Sequence, residues 1–225
     1  MQIQKTNQVE YHHIFSLIVG ASGSGKTTLA GTLPLSETLI ISAESGLLSL
    51  RGKEIDFVKI TTFDDLVGIF QKLKAGLNYK HIFIDSVTEV GEVVFAHYKP
   101  QFDKTKNFGL YEAYSDTMIK FLKSLRDMDK YNVWLTCLDK LGDKNGNDTI
   151  TLDLVQKSLA KKIVSFFDEV FYLSSVEQDG EVKRFIATDN SFIDFAKDRS
   201  GALNKFEKPD LGVITNKIFT NLKGE

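Results

Sequence analysis

The sequence predicts an α/β fold: a mostly parallel sheet with helices on both faces, closed towards the C-terminus by an antiparallel hairpin. Three observations carry this. Short β-rich apolar runs alternate with segments whose apolar residues recur at i, i+3 and i+4, the pattern of strands joined by crossover helices. The first run, residues 14–19 (IFSLIV), leads through a glycine-rich turn straight into helix-forming sequence. Two late runs, 169–176 and 182–188, flank Asp179-Gly180, a dipeptide suited to a tight hairpin turn.

Taken in order, residues 1–10 are polar and aperiodic and read as a flexible tail, leaving 11–225 as a single domain. The first strand is bounded by Gly20, and residues 27–33 form a helix that stops before Pro34. Residues 38–42 are a second buried strand, 57–60 a short third, and 63–74 a helix by its apolar spacing. Residues 81–85 (HIFID) are a fourth strand, followed by a helix over 87–97 and a polar, aromatic-rich stretch over 98–107. A long amphipathic helix over 111–128 places Met118, Phe121, Leu122 and Leu125 on one face. Residues 132–137 are a fifth strand; 139–151, dense in Gly, Asn, Asp and Lys, read as a mobile loop. Residues 154–167 are helical, and the hairpin follows. Crossovers between the parallel strands are expected to be right-handed.

Composition narrows the function classes. The 225 residues carry 28 Lys and Arg against 30 Asp and Glu, a net charge of −2. A whole-surface nucleic-acid binder is excluded, and any such site must be a local patch. Cys137 is the single cysteine, so there is no internal disulfide, and Cys and His show no metal-ligand spacing. No run approaches the roughly 18 apolar residues of a membrane span, and the first strand is too short for a signal peptide. A cytoplasmic protein is expected, with no membrane partner.

Gly20-Ala21-Ser22-Gly23-Ser24-Gly25-Lys26-Thr27 matches G-x-x-x-x-G-K-[ST] between a predicted strand and a predicted helix. Glycines allow successive backbone N–H groups to turn inward around a polyphosphate, and the following helix adds its positive end. Residues 20–28, Thr28 included, are therefore the expected ATP-binding loop. Lys26 is to reach the β- and γ-phosphates, and the Thr27 hydroxyl is to ligate Mg²⁺. Asp85, ending an apolar strand, is the second candidate metal residue; a helix N-cap is the plain alternative. Ser86 follows it where AAA-type ATPases place a Glu, which argues against that type. The catalytic acid is sought instead in Glu44, just past the second strand at the same carboxyl edge, with a solvated loop acid as its alternative.

The phosphate loop, the strand ending Ala43-Glu44, and Asp85-Ser86-Val87 together resemble the RecA-type ATPase core, and more narrowly the small phage RecA-like proteins of single-strand annealing and recombination. The resemblance runs from about Ile14 to Ile214. It implies a three-layer core with strand order third, second, fourth, fifth, first, then the hairpin. It also implies a Mg²⁺-dependent, DNA-stimulated ATPase in the host cytoplasm, a homo-oligomeric ring or short filament, and a single-strand-binding protein as a further partner. Lys197-Asp198-Arg199 resembles the Lys-x-Arg element that reaches a neighbouring subunit's γ-phosphate; a solvated turn is its alternative. DNA-contacting loops follow the fourth and fifth strands in such proteins. They correspond here to Lys99, Phe102, Lys104 and Lys106, and to Lys140 and Lys144, where lysines and aromatics could follow phosphates and stack on bases. The chain departs from full recombinases in having about a dozen residues before the first strand, which puts filament formation in doubt. It also lacks the Gln that couples DNA to ATP in RecA, with Thr136 as the nearest substitute. A nucleotide-switched loader or interaction module is the second reading of the chain, and a small-molecule kinase the third.

Overall fold

The computed structural model describes residues 5, 12–44, 46–102, 108–144, 147–191 and 193–223. Most of the expected tail, together with Lys104 and Lys106, lies outside the described residues. Five parallel strands form the centre: β1 (Phe15–Gly20), β2 (Thr38–Ser42), β3 (Asp56–Lys59), β4 (His81–Asp85) and β5 (Asn132–Lys144). They are ordered β3-β2-β4-β5-β1. On the far side of β1 lies β7 (Glu169–Gln178), parallel to it, then antiparallel β8 (Glu181–Ala187) and the short β10 (Phe206–Glu207). Another short strand, β9 (Lys197–Asp198), pairs with the start of β7. This is the order the resemblance implied.

Alternation along the strands divides the core into two layers. Leu17 and Val19, with Ile41, Ile84, Leu135 and Val170, face one way and pack beneath α2 (Phe63–Ala75), α3 (Val87–Tyr98), α4 (Phe108–Arg126) and α5 (Lys157–Ile163). Ile18, Ile40, Phe83, Trp134 and Phe171 face the other way, beneath α1 (Lys26–Leu29) and α6 (Leu211–Lys223). The result is a three-layer α/β core. In α4 the buried residues Leu110, Tyr114, Met118, Leu122 and Leu125 recur every three or four positions, as a one-sided helix requires.

Three expectations are corrected, and one helix is added to them. Residues 139–151 are not a loop: β5 continues to Lys144 and returns as β6 (Asn147–Leu152), paired from Asp139↔Leu152 to Lys144↔Asn147. The available signal was Asn145-Gly146 between β-forming residues, and it was outweighed by polar composition because the hairpin projects from the core, with Leu141 76% exposed. The helix expected over 27–33 is only the four residues of α1 before it tightens into a 3₁₀ turn, Ala30–Thr32. The helix expected over 154–167 likewise shrinks to α5 plus a 3₁₀ turn, Val164–Phe166. Finally, α6 was not anticipated, although Leu211, Ile214 and Ile218 are spaced for one buried helical face.

Candidate functional site

Gly20 ends β1 hard against β7: a Cβ there would stand 2.6 Å from the Leu173 carbonyl oxygen. Gly23 and Gly25 have φ of 75° and 105°, backbone that favours glycine, so the loop between β1 and α1 can turn back on itself. Lys26 is buried, and its Nζ donates to the carbonyls of Gly20 at 2.7 Å and Ala21 at 2.9 Å. Burial lowers the Lys26 pKa, while Asp85 and then Glu44 pull it back up. Since α1 is so short, charge at this site comes from Lys26 and the loop amides more than from an aligned helix.

The Thr27 hydroxyl donates to Asp85 Oδ2 at 2.6 Å. Asp85 is 1% exposed, and its other oxygen accepts from the Thr136 hydroxyl on β5 at 2.5 Å. Asp85 is not the helix cap; that role falls to Ser86, whose Oγ accepts from the Glu89 amide at 3.3 Å and opens α3. The same Ser86 hydroxyl donates to Glu44 Oε1 at 2.9 Å. The end of β2 is tied to β4 by backbone as well, with the amides of Ala43 and Glu44 donating to the Asp85 carbonyl. Lys26, Thr27, Glu44 and Asp85, distant in sequence, thus meet at one carboxyl edge of the sheet.

The fit to a phosphate ligand and a cation rests on three features. Ser24 Oγ is buried in the loop without a hydrogen-bond partner. A Cβ on Gly23 would meet nothing within 4 Å. A Cβ on Gly46 would lie 3.8 Å from Glu44 Oε2 and 4.0 Å from Thr27 Oγ1, so glycine leaves room between acid and hydroxyl. Thr27 and Asp85 offer the hard oxygens that Mg²⁺ takes alongside substrate phosphates. Among the described residues no group of three or more His, Cys, Asp and Glu could hold a metal by itself.

Other expected residues lie elsewhere. Lys197 and Arg199 flank Asp198, which pairs with Glu169 at the start of β7, opposite Ser16. Four residues of strand rise, about 13 Å, separate Ser16 from Gly20. Arg199 pairs with Asp168 at 2.8 Å and is out of reach of its own phosphate loop. Lys99 is exposed in a 3₁₀ turn, Lys99–Gln101, after α3. His97 stacks on Phe63 at the start of α2, holding that turn near the carboxyl edge. Phe102 is half-buried and its ring closes on Gly109, where a Cβ would meet it at 2.8 Å. Lys140 pairs with Asp153 at 2.9 Å, and Lys144 ends β5 at the hairpin turn. Thr136, the expected nearest substitute for a DNA-coupling Gln, is the residue on β5 that holds Asp85. Cys137 is fully buried, its thiol pushed up to about 12 by desolvation, and is inert. Sequence reasoning missed Arg184, whose Nε donates to the Ser24 carbonyl at 3.0 Å.

A parallel sheet with a glycine-rich phosphate loop after β1, a paired Thr and Asp, and an acid from the neighbouring strand defines a P-loop ATPase. The chain belongs to the AAA domain family (AAA_24), whose profile matches residues 13–200. The inference that Ser86 after Asp85 argues against an AAA-type assignment is therefore corrected: its absence of a following Glu does not place the chain outside this family. Among solved structures, the chain is similar to the KaiC-like protein PH0186 from Pyrococcus horikoshii OT3. Identity there is 18%, the TM-score is 0.45, and 80% of this chain and 86% of that one are covered. Curated proteins yield no match. No helix among the described residues is long and apolar enough to cross a membrane.

Proposed function

We propose that the protein is a Mg²⁺-dependent ATPase acting on single-stranded DNA in recombination or annealing. The observation that carries this reading is the continuity of β5. That strand holds Asp85 through Thr136 and runs unbroken into the projecting β5–β6 hairpin bearing Lys140 and Lys144. A strand of DNA that shifts the hairpin would therefore act on the residue that positions the metal. The Lys140–Asp153 pair is exposed and worth little, so a DNA phosphate can compete for Lys140. Lys99, Phe102, Lys104 and Lys106 form the second proposed contact region.

When bound, Mg²⁺ would partly neutralise the charge on the ATP γ-phosphate and leave its phosphorus electrophilic. Lys26 would neutralise the phosphates further, Thr27 and Asp85 would hold the cation, and Glu44, oriented through Ser86, would take a proton from the water whose oxygen bonds to the γ-phosphorus as the bond to the departing ADP oxygen breaks. Lys197 and Arg199, too far from their own loop, are proposed to serve a neighbouring subunit in a ring or short filament. ATP turnover measured at low salt with single-stranded, duplex and no DNA tests the proposal. Stimulation by single strands is expected; turnover without stimulation, together with no DNA binding, overturns the DNA part.

A further inference from the structure

We propose that Arg184 is a nucleotide-binding residue supplied to the phosphate loop in cis from the β7–β8 hairpin, and the proposal rests on the nucleotide-binding reading of that loop. Ile186 lies in the core layer beneath α1, and two residues earlier along β8 Arg184 shares its face. Because β7 and β8 run on past the Leu173↔Ile186 pair, Arg184 sits beyond the sheet edge, opposite Ser175. Leu173 is the residue whose carbonyl presses on Gly20, so the hairpin is anchored against the first residue of the loop.

The contact itself has a direction. Arg184 Nε donates to the Ser24 carbonyl, and a Cβ on Gly25 would lie 3.5 Å from Nε, so the guanidinium rests against the loop. Its two terminal nitrogens have no hydrogen-bond or ion-pair partner among the described residues, although they carry four of its five N–H donors. A guanidinium fixed through Nε with its planar fork free is arranged for bidentate bonding to a phosphate, which a lysine ammonium cannot reproduce. The buried, unpartnered Ser24 hydroxyl belongs to the same residue whose carbonyl Arg184 holds.

Equilibrium binding of a fluorescent, non-hydrolysable ATP analogue and of ADP, each with Mg²⁺, tests this in wild type, Arg184→Ala, Arg184→Lys and Lys26→Ala. Arg184→Ala should weaken binding by about tenfold or more, with an unchanged melting temperature in the absence of nucleotide. Arg184→Lys should recover only part of the loss. Binding by Arg184→Ala within about twofold of wild type overturns the proposal. So does a loss of nucleotide-free stability large enough to account for the weaker binding, which would reduce Arg184 to a brace. Failure of wild type itself to bind would instead overturn the nucleotide reading on which the proposal stands.

Discussion

Replacing Thr136 with Val removes one hydroxyl and keeps the side-chain shape, at a position with no solvent access. Asp85, 1% exposed, would keep its bond from Thr27 and lose the one from Thr136. A hydrogen bond to a buried charged group contributes about 1.5–3 kcal/mol, and water cannot enter to replace it. We expect Thr136→Val to cost about 2 kcal/mol of unfolding free energy. With about 2.1 cal/mol/K of unfolding entropy per residue across 225 residues, that lowers the melting temperature by roughly 4 °C. Urea unfolding with an unchanged slope is the appropriate assay, since a changed slope would signal an altered denatured state. Repeating it with Mg²⁺ and ADP should show a weaker stabilisation by ligand than in wild type, because Asp85 is less well held. A free-energy loss under about 0.5 kcal/mol, the range of an ordinary surface change, would refute the role assigned to Thr136.

Glu44→Gln keeps an oxygen for the Ser86 hydroxyl but cannot accept a proton; ATP turnover should fall by about 10²-fold or more while nucleotide binding is retained. Glu169 is buried, and its pKa is raised to about 8 by desolvation, then by Asp198. The folded chain thus holds this proton where the unfolded chain has released it. The contribution of Glu169 to stability is therefore full below the ordinary carboxyl value of 4.5 and is lost as pH rises towards 8. Glu169→Gln should flatten that slope and be the more stable protein at pH 8 by up to about 4 kcal/mol, read from denaturant midpoints across pH. For the cross-subunit proposal, mixing inactive Lys26→Ala and Arg199→Ala chains should restore part of the turnover; mixtures no more active than either alone would count against it.

Local chemistry was the part legible in the sequence. The phosphate loop is contiguous, and its glycines, Lys26 and Thr27 work through backbone geometry and reach that a short segment specifies by itself. The strand order followed from resemblance, and the strands themselves from buried apolar runs, because a parallel sheet covered on both faces leaves that mark. Glu44 and Asp85 were legible as acids at strand ends. What they do there was not, because capping, solvation and catalysis place the same residue types at such junctions. Tertiary structure decided that Ser86 caps α3 and anchors Glu44, and that Asp85 is thereby left to Thr27 and Thr136. It also turned a polar loop into the β5–β6 hairpin, and brought Arg184 onto Ser24 across 160 residues of chain. Those contacts arise from strand register and from how far each strand overshoots the sheet, quantities set by packing among distant segments rather than by any local pattern.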